Sequence, residues 1–398
     1  MTSPRRSVID RVTADRTALV WFAVVAVVYA LSTAAIWYET GGQGGGRAMQ
    51  VVVSLLNGHP DSGLPPGTLD TATVAGRTFL VISPLPLVPF VLFAPFPPLW
   101  EAARWMIPAA FGMGAAWLML PLARRYGPGG TTTLWLATLG AFGTLLWTLA
   151  IKGNFYYLAQ VQAMFFCLIA LIEWRDRRRA WVIAVALGLS GLARPTTLLA
   201  AIPFGIALLA ESRDRVRTSI AFGLPLLATV GLTALYDLAR FGSPVETGYG
   251  ISTLQRPSLI DARAKGVFSL RHVPQNLYYL FLRGFDHVSR FPFFAPDSYG
   301  HSILLTTPAV LIAVSAGIRS RTVVVLWSAT ILIAIPLLLY YGGGGFTTYG
   351  YRYALDLMPF VLALVAIGAC HQFGRLEKLL VVLSVAFVSY GVLWAIAR

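Results

Sequence analysis

The sequence predicts an all-α polytopic membrane protein, and three observations carry that prediction. Of 398 residues, 57% are hydrophobic and only 12% are charged, a balance foreign to water-soluble domains. The apolar residues gather in blocks near the length of ~20 residues that one helix needs to cross a bilayer core. The Lys and Arg residues sit in small groups between those blocks, so the formal charge of +14 reads as membrane topology rather than nucleic-acid binding.

The elements follow in chain order within one membrane domain, 1–398. The first block, Thr17 to Tyr38, is too long for a signal-peptide core and lacks a small-residue cleavage pattern, so it reads as a retained helix. Basic groups flank the later blocks: Arg5/Arg6/Arg11/Arg16, Arg124/Arg125, Arg175/Arg177/Arg178/Arg179, Arg213/Arg215/Arg217, Arg319/Arg321 and Arg375/Lys378. The positive-inside rule puts them all in the cytoplasm. Spans at 17–38, 103–122, 131–151, 155–173, 180–193, 195–210, 218–238, 300–318, 322–341, 353–369 and 379–397 satisfy it. That arrangement has about 11 crossings, with the N-terminus inside and the C-terminus outside.

One apolar stretch, Phe79 to Pro98, is excluded from the crossings, since a span there would invert every later basic group. It carries Pro84, Pro86, Pro89, Pro95, Pro97 and Pro98, each without a backbone donor, and reads as juxtamembrane or re-entrant. Two long external loops remain, 39–98 and 239–299, and function is expected there. Within the first, 47–57 is helix-like after the glycine run 41–46 and suits the membrane surface. Arg194-Pro195 marks a tight external turn between two short spans. Cys167 and Cys370 both fall in apolar segments and read as core residues, and the five histidines lack ligand spacing, so no metal or cofactor site is assigned.

Three carboxylates stand out. Glu39 directly follows the first span, where partial desolvation suits a general base, or else it is a polar helix terminus. Asp70 precedes the proline-rich segment and either orients an acceptor, pairs with Arg77 or closes an Asx turn. Asp356 lies four residues after Arg352, so the two form an internal ion pair or a functional buried pair. Lys152, Arg194, Arg240 and Arg352 each sit near the external end of a span. Four converging cations suit a phosphate or pyrophosphate lipid head group, and the alternative is snorkelling or pairing with Asp237 and Asp356. Aromatic residues crowd the same side, Tyr156, Tyr157, Tyr249 and Tyr349 among them, and read mostly as interfacial belt.

Several strings resemble landmarks of the polytopic GT-C glycosyltransferases, particularly bacterial relatives of protein O-mannosyltransferases and of lipid A aminoarabinose transferases. They are SLLNGH, LDTATVAGRTFLVISPLPLVPFVLF, GLARPT, LYDLARFGSPVETGYG, LLTTPAVL and YGYRYALDLMPF, and the likeness covers most of the chain. The resemblance implies an inverting transferase in a bacterial plasma membrane. It would take a sugar from a polyprenyl-phosphate carrier outside and pass it to a glycan, lipid or protein acceptor. It points to Glu39, or failing that Asp70, as the catalytic carboxylate. Lys152, Arg194 and Arg352 are expected to bind phosphate, with Tyr349, Arg77 and Asp356 completing the substrate site. Where many relatives carry an acidic pair, this chain has Glu39-Thr40 followed by glycines and Gln43. Two other classes stand beside this one: a flippase for lipid-linked saccharides, which requires polar residues through the bundle interior, and a catalytically silent envelope scaffold.

Overall fold

The computed structural model describes residues 16–40, 47–289, 291–343 and 349–397. Arg5, Arg6, Arg11, the glycine run 41–46 and Gly344-Gly345 lie outside them. The chain is mostly helical, and among the described residues six helices are long and apolar enough to cross a membrane. They are α1 (Arg16–Glu39), Pro97–Tyr126, whose α-helical part is α3 (Trp100–Tyr126), α6 (Phe155–Arg175), α9 (Arg215–Phe241), α13 (Arg321–Leu339) and α15 (Arg375–Ile396). Their outward faces keep large apolar side chains exposed, such as Leu31, Leu224, Leu227, Ile331 and Leu393. That surface matches hydrocarbon and not water.

Shorter apolar helices fill the spaces between them: α4 (Thr132–Phe142), α5 (Leu145–Ala150), α7 (Ala180–Ala193), α8 (Ala201–Glu211) and α14 (Met358–His371). The stretch 131–151, expected as one span, breaks between α4 and α5 at Gly143. The Thr144 side chain then caps α5 by accepting from the Leu146 N–H. The stretch 300–318 is likewise divided, into α12 (Ile303–Thr306) and a 3-10 helix at Pro308–Ala316, because Pro308 has no N–H to continue the α ladder. The helix-like 47–57 is α2 (Arg47–Leu56). The proline-rich segment forms 3-10 turns at Leu85–Phe93 and Pro97–Leu99 rather than an α-helix, and packs on α2, α3, α6 and α7.

Close helix contacts depend on absent side chains. A Cβ on Gly112 of α3 would lie 2.3 Å from the Ala150 Cβ, and one on Gly368 of α14 would lie 2.2 Å from the Ile312 carbonyl oxygen. Small residues let backbones approach where lipid supplies no hydrophobic drive between helices. Cys370 departs from expectation: it is exposed on the last turn of α14, its thiol 3.4 Å from the Tyr126 carbonyl, whereas Cys167 is buried.

The contacts sort the charges between two ends of the bundle. At one end Arg125 pairs with Asp176, Glu211 pairs with both Arg178 and Arg321, and Lys378 lies 5.9 Å from the Trp135 ring centre. Helices α3 and α6 run parallel, tied there by the Tyr126 hydroxyl donating to the Leu171 carbonyl at 2.9 Å. At the opposite end Arg104 Nε donates to the Gly153 carbonyl at 2.6 Å. The segments between the long helices that carry the hairpin assemble at that second end. The hairpin β1 (Thr71–Val74) and β2 (Arg77–Leu80) turns through Ala75 and Gly76, both at positive φ, as a two-residue hairpin turn of this type demands. It docks on the end of α9 through Phe79 against Phe241 and Arg240 Nη1 donating to the Leu80 carbonyl at 2.9 Å.

Candidate functional site

Asp70 enters the hairpin in the left-handed region at φ 62°, which Asp tolerates better than most residues. Three backbone–backbone hydrogen bonds and one from a side chain hold that conformation. Its N–H donates to the Thr253 carbonyl at 3.2 Å, and the next residue's carbonyl accepts from the Thr253 N–H at 2.7 Å. Its own carbonyl accepts from the Val81 N–H at 3.0 Å and from the Tyr156 hydroxyl at 3.4 Å. The hairpin, the segment around Thr253 and α6 thus converge on one residue. Among the described residues no hydrogen bond reaches the Asp70 carboxylate itself, which faces a cavity. Burial pushes its carboxyl above the ordinary carboxylate range, and the Arg352 and Arg47 guanidiniums partly offset this. A strained backbone position with a desolvated, unbonded carboxylate is the kind of arrangement found at reactive sites.

Arg352 faces the same cavity from the 3-10 turn Arg352–Asp356, whose first carbonyl accepts from Gln160 of α6 at 2.9 Å. Among the described residues no carboxylate stands within ion-pair distance of its guanidinium, and its buried Nε has no hydrogen-bond partner. It is steadied by ring faces, 5.3 Å from the centre of Tyr157 and 4.9 Å from that of Tyr353. The expected Arg352–Asp356 pair is therefore not made. Asp356, fully buried, instead accepts from Arg194 Nη2 at 2.9 Å, Arg194 Nε at 3.1 Å and the Thr196 hydroxyl at 3.0 Å. The reason is directional: the tight 3-10 turn does not bring the two side chains together along one α-helical face. Arg194's charge is consumed by this pair, although its guanidinium also lies 5.1 Å from the Tyr353 ring centre.

Two cavities open at this end. The one holding Asp70 and Arg352, of about 540 Å³, is walled by Tyr156, Tyr157, Leu254, Gln255, Arg256, Tyr340, Tyr341 and Tyr353. A smaller lobe of about 90 Å³ shares Asp70 and Arg352 and reaches Arg194 and Tyr249. The other cavity, of about 480 Å³, lies among the ends of α1, α3, α6 and α15 and includes Lys152, Arg104, Tyr349 and Asp297. Asn154 and Tyr157 line both. Lys152 Nζ stands 5.9 Å from the centre of the Tyr157 ring, whose neighbourhood it shares with Arg352.

Asp70, Arg352 and, through the smaller lobe, Arg194 are thus brought together, with Lys152 and Tyr349 in the adjoining cavity. Glu39 is exposed on the last turn of α1 and lines neither cavity, although its neighbours Ile36 and Thr40 line the second. Arg77 is exposed at the hairpin tip and makes no pair with Asp70, because the hairpin carries the two residues to opposite ends of its strands. Arg240 is a brace: it pairs with Asp237 at 2.6 Å and holds the hairpin. Sequence reasoning passed over Asn154 and Arg47 and took Tyr156 and Tyr157 for belt residues. Asn154 has a legible signal, since its side chain caps α6 by accepting from the Tyr156 N–H at 2.8 Å. Among the described residues no three His, Cys, Asp or Glu side chains group as metal ligands. Comparison with protein-family models, curated proteins and solved structures returns no match.

Proposed function

We propose that the protein is a membrane glycosyltransferase that moves a sugar from a polyprenyl-phosphate carrier to an extracytoplasmic acceptor with inversion. In this reading the chain crosses a bacterial plasma membrane about 11 times, with its basic end in the cytoplasm and its cavities outside. The observation that carries the reading is the pairing of roles in one cavity lined by both: among the described residues Asp70 has a carboxylate that accepts no hydrogen bond, and Arg352 a guanidinium with no carboxylate at ion-pair distance.

The chemistry assigns each group one task. The Asp70 carboxylate takes the proton of an acceptor hydroxyl or amine as that atom forms its bond to the anomeric carbon. The bond from that carbon to the phosphate oxygen breaks, its electron pair leaves with the phosphate, and the departing charge is stabilised by Arg352. The proton on Asp70 then returns to water. A desolvated carboxylate with a raised proton affinity suits this better than the exposed Glu39.

Membrane vesicles supplied with a radiolabelled polyprenyl-phosphate sugar and acceptor test the assignment. Asp70→Asn is expected to cut transfer by about a hundredfold or more while donor binding persists, and Glu39→Gln is expected to keep most of it. Unchanged turnover in Asp70→Asn would sink the proposal.

A further inference from the structure

We propose that the hairpin of β3 (Asp286–His287) and β4 (Phe294–Ala295) sets its aromatic tip into the bilayer interface at the cavity end of the bundle, and that this anchor braces one wall of the 480 Å³ cavity. The inference needs α15 as a membrane helix and does not depend on the transfer reading.

The tip turns its apolar side chains away from the protein. Phe291, Phe293 and Phe294 are 86%, 51% and 54% exposed, and the first two rings stand edge to face with centres 6.1 Å apart. Clustered aromatic residues this exposed mark a surface that something else covers. The turn is closed by the Val288 N–H donating to the Phe293 carbonyl at 2.9 Å. Charge stays at the base, where Arg283 pairs with Asp286 at 2.5 Å and with Asp297 at 2.6 Å. Residues 288, 289 and 291–295 carry none, and Arg290 lies outside the described residues. The three rings can therefore enter a lipid surface while the paired ions stay at the base.

The height of the hairpin along the bundle decides what covers it. The Tyr390 hydroxyl of α15 donates to the Phe294 carbonyl, and Phe285, just before β3, packs on the Tyr390 and Phe387 rings with centres 5.6 and 6.4 Å away. Tyr390 lies about 9 Å of helix rise before Ile396, the last residue of α15. Leu393, nearly a turn closer to that end, is apolar and still 64% exposed, so the lipid-facing surface of α15 extends past the level at which the hairpin is tied. Trp37 and Tyr38 are exposed on the last turn of α1, which lines the same cavity, and Trp and Tyr favour the head-group level. The hairpin goes no deeper than this, because its open strand edges would leave backbone groups without partners in hydrocarbon. A protein partner fits less well: three rings offer on the order of 400 Å², about half of what one side of a standard protein interface buries.

Past Ala295 the chain continues into Pro296, Asp297 and Ser298, which line the 480 Å³ cavity together with Trp394 and Ala395. Asp297 is fixed by Arg283 and by accepting from the Tyr299 N–H at 2.6 Å. Anchoring the tip therefore restrains that wall.

The test uses the full chain carrying Cys370→Ser in lipid nanodiscs, since Cys167 is buried, with a nitroxide label placed by Phe293→Cys. Spin relaxation by oxygen, which concentrates in lipid, is compared with relaxation by a nickel chelate, which stays in water. The oxygen-to-nickel ratio is expected to be severalfold higher at 293 than for a label at Asp261→Cys, exposed on α10 (Pro257–Ala264). A label at Ser298→Cys reads the wall, and adding Phe291→Ser/Phe293→Ser is expected to sharpen its spectrum as the wall loosens. A ratio at 293 no higher than at 261 would overturn the insertion. So would spin–spin broadening between copies at 293, which marks a second chain as the occupant. An unchanged Ser298→Cys spectrum in the double variant would overturn the bracing of the wall. None of these readouts involves sugar transfer, so failure of the transfer reading leaves the inference standing.

Discussion

Replacing Asp356 by Asn separates the buried ion pair from Arg352, the cation beside it that has no carboxylate at ion-pair distance among the described residues. Asp356 is fully buried and accepts three hydrogen bonds from Arg194, two of them sharing Nε, and one from Thr196. The amide keeps the shape but removes the charge, leaving the Arg194 guanidinium, itself only 16% exposed, without its counter-ion. Breaking one side of a buried pair costs about 3–5 kcal/mol, because the remaining charge keeps its desolvation penalty and loses its compensation. Asp356→Asn is therefore expected to lose stability of that order in detergent, read by denaturant unfolding of the purified protein. The double variant Arg194→Met/Asp356→Leu, which removes both charges, is expected to recover most of the loss. Arg352→Gln serves as the contrast: with no carboxylate partner to strand, it is expected to change stability by less than ~1 kcal/mol while abolishing donor binding. An Asp356→Asn loss below ~1 kcal/mol, or an Arg352→Gln loss as large as the Asp356 one, would refute the assignment of partners.

Other expectations rest on separate contacts. Because Asp70's carboxyl is raised by burial, the acidic limb of the transfer rate is expected to lie above the ordinary carboxylate range, with activity rising as Asp70 ionises. Its linkage to stability runs the other way: the fold favours the protonated acid, so the stabilisation is complete at low pH and falls as pH rises through the raised value. Asp70→Asn should abolish both dependences in rate and unfolding profiles. Gly368→Val forces a side chain against the Ile312 carbonyl and is expected to cost about 1–3 kcal/mol in thermal unfolding. Thr144→Ala removes the cap that starts α5 and is expected to cost about 1 kcal/mol by the same measurement. Arg240→Ala should loosen the hairpin, read as faster amide exchange at residues 77–81 with the helices unchanged.

The residues differ in how much of their role is local to the sequence. The long apolar blocks and the basic groups between them are local properties, and the ends where Arg125, Arg178 and Arg321 meet acidic partners agree with that pattern. The prolines of 79–98 also act locally, through missing donors, and the 3-10 turns there follow. Asp70 was visible as a candidate but ranked behind Glu39, because linear position cannot weigh burial. Its left-handed backbone depends on Thr253 and Val81, and its cavity on Arg352, far along the chain.

Sequence by itself determined that this is a membrane-embedded helical chain with grouped basic residues between its apolar blocks, since hydrophobic length and charge spacing act residue by residue against the bilayer. Only the tertiary structure decided which charge is spent and which is free: Asp356 neutralises Arg194 rather than Arg352, and Asp70 rather than Glu39 faces a cavity. The physical reason is that pairing and desolvation depend on distances between segments brought together by folding, and those distances are not written in any one stretch of the chain.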